Sequence, residues 1–159
     1  MCLYRGLING KMTTIRVTKE FHFEMAHALW NYDGPCRNIH GHSYRLYICI
    51  AGIPSGDSTD SKFGMVIDFN DLKSLVEEPV VNFLDHSLVV YRKAEGEGLN
   101  HVKDMYQKVH VFDFQPTCEN LLIYIVNKIR TLLPPDLTLK AVKLYETATS
   151  YAEWLDSDN

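Results

Sequence analysis

The chain has no run of apolar residues approaching the ~20 needed to cross a bilayer as a helix. It has no Cys-x-x-Cys pair; Cys2, Cys36, Cys49 and Cys118 are scattered along 159 residues. With no secretion-type leader at its start, the four thiols read as reduced, in a cytoplasmic protein. A basic excess is also missing. Sixteen Lys and Arg against twenty Asp and Glu leave a net charge of −4, which gives no electrostatic footprint for nucleic acid. No His-Glu-x-x-His stands anywhere, so a zinc hydrolase ranks low. What is left, 46% hydrophobic and 23% charged residues, is the composition of an ordinary soluble protein, and its length makes one domain the expectation.

What the chain does have is concentrated between Phe21 and Ala51, where four of its seven histidines stand. His40 and His42 are two apart, and on an extended chain such positions point to the same side. Gly41 between them adds no bulk. The run Tyr44, Leu46, Ile48, Ile50 continues their parity. Upstream, Ile15, Val17, Phe21, Phe23 and Met25 alternate too, and His27 continues that series. If the two runs are antiparallel neighbours, the end of the first meets the start of the second. His27, His40 and His42 then converge on one metal ion with a fourth position open, the pattern of catalytic rather than structural zinc. Imidazole also suits copper, iron and nickel. His22 has the opposite parity and is not expected to be a ligand.

Cys36 lies four residues before His40, in the turn-forming loop Asn31-Tyr32-Asp33-Gly34-Pro35-Cys36. A thiol beside a cation has a lowered pKa, and the thiolate is its reactive form. Spacing leaves open whether Cys36 is a base, a nucleophile or a fourth ligand.

Residues 1–13 show no period and are expected to be a poorly ordered extension, with Met12 an alternative start. Residues 14–159 form the single domain. Strands are expected over 14–28, 43–51, 137–146 and 151–155, with a loop over 51–63. A helix is expected from near Asp71, with Leu72, Leu75, Val76, Val80, Phe83 and Leu84 on one face and a kink or split at Pro79. Asp85-His86 follow at its end, where the carboxylate can orient the ring or the histidine can simply close the helix. Residues 91–108 read as a surface loop with a helical turn, and 109–114 as a short strand. His101 and His110 read as solvated or structural. Pro116-Thr117 open a second helix, with Thr117 as cap and Glu119 in the first turn. Its buried face is Leu122, Ile125, Val126, Ile129 and Leu132/Leu133, and Pro134-Pro135 stop it. Glu146 ends an apolar strand, where a carboxylate needs donors.

His27 followed by Cys36-x-x-x-His40-Gly41-His42 resembles the 6-pyruvoyl-tetrahydropterin synthase family. The three-residue gap between Cys36 and His40 resembles its bacterial 6-carboxy-tetrahydropterin synthase branch, since the pyruvoyl branch usually has a longer one. Gly64-Met65-Val66-Ile67-Asp68-Phe69, Leu84-Asp85-His86, Pro116-Thr117-x-Glu119-Asn120 and Glu146-Thr147 extend the likeness over about 14–155. The resemblance implies an α+β tunnelling fold, ββααββ, with helices on one face of an antiparallel sheet. It implies a homo-oligomer, trimers paired into hexamers, whose sheets join into a barrel. It implies zinc on His27, His40 and His42, and Cys36 as catalytic thiolate with Asp85 and His86. Glu146 would anchor a pterin triphosphate, with Thr117, Glu119 and Thr147 beside it. Two products are open. The carboxy branch forms 6-carboxy-tetrahydropterin, acetaldehyde and triphosphate; the pyruvoyl branch forms 6-pyruvoyl-tetrahydropterin. A hydroxymethyl-pterin variant typically has glutamate where Cys36 stands, so the cysteine argues against it. A zinc-binding module without turnover is the reading of another class.

Overall fold

A computed structural model describes residues 7–8, 11–94 and 96–159. Two strands of 13 residues, β3 (Ile15–His27) and β4 (His40–Gly52), form its spine. They pair antiparallel without a break, from Ile15 opposite Gly52 to His27 opposite His40. Strand alternation sends Phe21, Phe23 and Met25 of β3 and Tyr44, Leu46, Ile48 and Ile50 of β4 to one face, where all are buried. The other face carries Arg16, Thr18, Glu20, His22 and Glu24 and is exposed.

Helix α1 (Phe69–Val76) starts at Asp68, whose carboxylate accepts from the Asn70 amide at 2.7 Å. A π-helical turn, Glu77–Val81, and a short helix, α2 (Asn82–Leu84), continue it. Pro79 lies in the π-helical turn. Proline lacks the N–H that an α-helical bond requires there, so the expected split falls at its expected place. The longer helix α4 (Cys118–Leu132) is capped by Thr117, whose hydroxyl accepts from the Asn120 amide at 3.3 Å. Leu72, Val76, Leu121, Leu122, Ile125, Val126 and Ile129 face the buried side of the sheet and close the core. Each such aliphatic side chain, fully buried, contributes roughly 1.5–3 kcal/mol. Of the expected pair Leu132/Leu133, Leu132 is 39% exposed and Leu133 packs partly buried against the core.

The sheet has six strands, in the order β6 (Val109–Phe112), β5 (Ser87–Tyr91), β3, β4, β7 (Thr138–Tyr145), β8 (Tyr151–Leu155). β7 and β8 extend it antiparallel, as expected. On the other flank the expected all-antiparallel pattern changes. β5 runs parallel to β3, and β6 runs parallel to β5. The helical crossover carries the chain from the Gly52–Ile15 end toward the His27 end, and β5 continues in that direction beside residues 25–27. The α+β class stands, with a mixed sheet. The expected loop over 91–108 contains a helix, α3 (Glu97–Met105), that buries Leu99. Of the N-terminal extension, residues 1–6 and 9–10 lie outside the described residues. A two-stranded pairing joins β1 (Leu7–Ile8) to β2 (Lys11–Met12).

Candidate functional site

The buried stripe of β3 ends in a histidine. His27 takes the next inward position after Met25 and is 2% exposed. Pairing sets His40 directly across from it, and His42 opposite Met25. The ring centroids lie 4.5 Å (His27–His40), 5.2 Å (His27–His42) and 5.0 Å (His40–His42) apart. One ligand nitrogen from each falls within 4.8 Å of the others, so the three could hold a metal ion.

Hydrogen bonding fits the rings to that task. His27 Nδ1 donates to the Pro116 carbonyl at 2.7 Å, and His40 Nδ1 to the Asn38 carbonyl at 2.8 Å. A carbonyl only accepts, so each Nδ1 carries the hydrogen and each Nε2 of a neutral ring presents a lone pair. The two Nε2 atoms are 3.1 Å apart. Lone pairs at that separation repel unless a cation or a proton lies between them. Burial pushes the His27 pKa below its ordinary value, outweighing the Pro116 bond and the Glu146 charge that raise it, and so favours the neutral ring a metal needs. The donor set therefore fits a divalent cation that accepts imidazole.

Cys36 stands in a 3₁₀ turn, Pro35–Arg37, and is half-buried. It is not one of the three clustered ligands. Its loop is closed by the Leu29 amide, which donates to the Cys36 carbonyl at 2.9 Å, and Asn31 adopts φ of 55° at the turn. Asn is among the residues that tolerate that left-handed conformation.

Glu146 follows the end of β7. Tyr44 Oη donates to its Oε1 at 3.2 Å, and that oxygen is 3.7 Å from His27 Nε2. Tyr44 is fully buried and stacks on Phe23 at 5.0 Å. Burial, with the Glu146 charge, holds its phenol far above the ordinary value, so it remains a donor. Cys118 begins α4 close by. Burial pushes its thiol up to about 11, and Sγ donates to the Leu144 carbonyl at 3.4 Å, so it reads as an inert thiol. The Thr117 hydroxyl is engaged in its cap. Glu119 is exposed in the first turn of α4, and Thr147 is exposed beside Glu146 with its hydroxyl accepting from the Thr149 and Ser150 amides.

Asp85 and His86 do touch. Asp85 Oδ2 is 2.9 Å from His86 Nδ1, while Oδ1 accepts from the Glu24 amide at 2.8 Å. The His86 amide donates to the Glu24 carbonyl at 2.6 Å. These bonds to β3 hold His86 at φ of 55°, an uncommon conformation for a residue with a side chain. Partial burial raises the Asp85 pKa, but the Glu24 amide, His86 and Lys108 outweigh it, and the carboxyl lies below its ordinary value. His86 and His42 line one groove of about 1240 Å³, together with Glu24, Ser43, Met105 and Lys108.

The family model described as 6-pyruvoyl tetrahydropterin synthase matches residues 16–156. The chain belongs to that family. It is 34% identical over 145 residues to the Haemophilus influenzae protein named 6-carboxy-5,6,7,8-tetrahydropterin synthase, covering 87% of this chain and 97% of the relative. It is 28% identical over 151 residues to the human protein named 6-pyruvoyl tetrahydrobiopterin synthase, covering 87% and 89%. Among solved structures, the Caenorhabditis elegans 6-pyruvoyl tetrahydropterin synthase superposes with a TM-score of 0.65 at 24% identity, over 91% of this chain and 96% of that one. The Plasmodium falciparum enzyme gives 0.64 at 20%, over 89% and 96%. The fold is that of this family.

Three groups in this family member carry no signature in the sequence. The backbone carbonyls of Pro116 and Asn38 orient His27 and His40, yet a carbonyl carries no residue signature. Gln115 pairs with the backbone of Trp30 near the start of the Cys36 loop, and a single glutamine in a loop gives no pattern to read. His22 is exposed, 3.3 Å from Glu20. His110 stacks on Phe83 at 3.9 Å and is 2.7 Å from its carbonyl, a structural histidine. Among the described residues no helix is long and apolar enough to cross a membrane.

Proposed function

We propose that the protein is a zinc-dependent 6-carboxy-5,6,7,8-tetrahydropterin synthase, acting on 7,8-dihydroneopterin triphosphate in the queuosine (7-deazaguanine) pathway. The observation that carries this reading is the three-histidine cluster next to the Cys36 loop, in a chain 34% identical to a protein of that name. The carboxy-named relatives reach 30–34% identity and the pyruvoyl-named ones 28%, which favours the carboxy product.

His27, His40 and His42 would hold the zinc, in keeping with the Nε2 atoms that the Pro116 and Asn38 carbonyls leave free on His27 and His40. Bound zinc would supply a Lewis acid that acidifies the substrate side chain and stabilises the negative charge developing on its oxygen. The chain's own residues account for the rest. Tyr44 engages one oxygen of Glu146 and orients the carboxylate, which accepts two parallel N–H donors of a pterin. Cys36, as thiolate, takes a proton from the side chain. Asp85 accepts the Nδ1 hydrogen of His86 and leaves Nε2 to relay it. Thr117, Glu119 and Thr147 flank the pterin end. The products are 6-carboxy-tetrahydropterin, acetaldehyde and triphosphate. The working form is a homo-oligomer, a dimer of trimers, in which the edge strands β6 and β8 of successive copies join the sheets into a barrel.

Mass spectrometry of products from 7,8-dihydroneopterin triphosphate tests this, with and without chelator and with Cys36→Ala. Chelator-sensitive acetaldehyde and 6-carboxy-tetrahydropterin, lost in the variant, are expected. A pyruvoyl product would move the protein to the other branch. No turnover with metal bound would leave a binding module and overturn the enzymatic reading.

A further inference from the structure

The loop that carries Cys36 has no fully buried residue. From Ala28 to Ile39 every position is exposed or half-buried, so core packing is not what anchors it. One side chain does reach it from elsewhere. Gln115 Oε1 accepts from the Trp30 amide at 2.9 Å, and Gln115 Nε2 donates to the Trp30 carbonyl at 2.9 Å. Both polar groups of the amide thus engage both backbone groups of one residue, 85 positions away. Such a two-point pairing sets orientation as well as distance.

Gln115 is itself anchored. Its carbonyl accepts from the Thr117 amide at 2.8 Å and from Asn120 Nδ2 at 3.0 Å, which ties it to the capped start of α4. Its neighbour Pro116 supplies the carbonyl that orients His27. One dipeptide therefore positions a ring of the metal cluster through its backbone and the Cys36 loop through a side chain.

We propose that Gln115 is a positioning residue for Cys36, whose amide sets where the thiol stands relative to the histidine cluster. The kinetic part of this inference rests on the pterin synthase reading above; the thiol part does not. A proton transfer requires its partners within hydrogen-bond reach, and a displacement of about 1 Å can cost on the order of a hundredfold in rate. Trp30 belongs to this device through its backbone, so its side chain is dispensable for it.

Two variants of the full-length, metal-loaded protein test the proposal. Gln115→Met keeps the length and removes both polar groups. Gln115→Glu keeps the shape but, as carboxylate, offers the Trp30 carbonyl no donor. Three readouts are taken: metal stoichiometry, the iodoacetamide alkylation rate of Cys36 resolved by peptide mapping from the other cysteines, and kcat and KM on 7,8-dihydroneopterin triphosphate. Both variants are expected to keep their metal, to alkylate Cys36 at least fivefold faster, and to lose at least tenfold in kcat with KM within twofold. Wild-type alkylation and kcat would overturn the proposal. So would activity lost together with the metal, since Gln115 would then act through His27. If the wild-type protein turns over no dihydropterin, the functional reading fails while the alkylation rates still decide the role of Gln115.

Discussion

His27 shows how one position acquires its chemistry. It is the last inward residue of an otherwise apolar stripe, and burial keeps its ring neutral. Replacing a ligand should empty the site rather than unfold the chain. His40→Ala is expected to reduce bound metal from about one per chain to under a tenth, measured by elemental analysis, with the circular dichroism spectrum retained. His40 suits the test because it is half-buried, whereas His27 is part of the core. Tyr44→Phe addresses the neighbouring carboxylate. It removes one hydrogen bond to a charged acceptor, an interaction worth ~1.5–3 kcal/mol, and preserves the Phe23 stack. KM for the dihydropterin should rise about tenfold with metal content unchanged, and an unaltered KM would remove Glu146 from the substrate contact.

At the scale of elements, caps and junctions hold the site's supports. Asp68 caps α1 at the residue before it, and Asp68→Ala should lower unfolding free energy by about 1 kcal/mol in urea titration without changing metal stoichiometry. Asp85 joins the end of α2 to β3. Its folded pKa is below the ordinary 3.8, so on acidification the unfolded chain binds this proton first. Its stabilising contribution is therefore complete above about pH 4 and is lost as pH falls through the folded value. The acid side of a melting-temperature profile should flatten in Asp85→Asn. Elements were legible where periodicity was strong. β3, β4 and α4 follow from their alternation or their three- and four-residue steps, and the break after α1 follows from Pro79. β5 was not legible, since Ser87–Tyr91 is a short apolar run that alternation cannot distinguish from a helix end. α3 was not, because its segment is charged and weakly patterned.

At the scale of the molecule, one chain leaves an open sheet with β6 and β8 at its edges. Such edges invite pairing, and the family reading supplies the pairing partner as another copy. Light scattering is expected to give a mass of about six chains; a monomer at micromolar concentration would remove the barrel from the proposal. Metal removal should act on the same assembly. A ligand held at a hundred times its dissociation constant stabilises the folded state by about 2.7 kcal/mol. Chelation is therefore expected to lower the melting temperature by several degrees and to abolish turnover, with both restored by added zinc.

The sequence by itself determined which residue types stand at which parity. His27, His40 and His42 continue the inward series of two alternating runs, and Thr117 marks a helix start, because local geometry depends on neighbours a few positions away. Tertiary structure alone decided what meets across the chain. It set Pro116 against His27, Gln115 against Trp30, Tyr44 against Glu146 and Glu24 against Asp85, pairs separated by 61 to 102 positions. It also decided that β5 and β6 run parallel to β3. No local pattern encodes such encounters, because each follows from the path of the whole chain around one core.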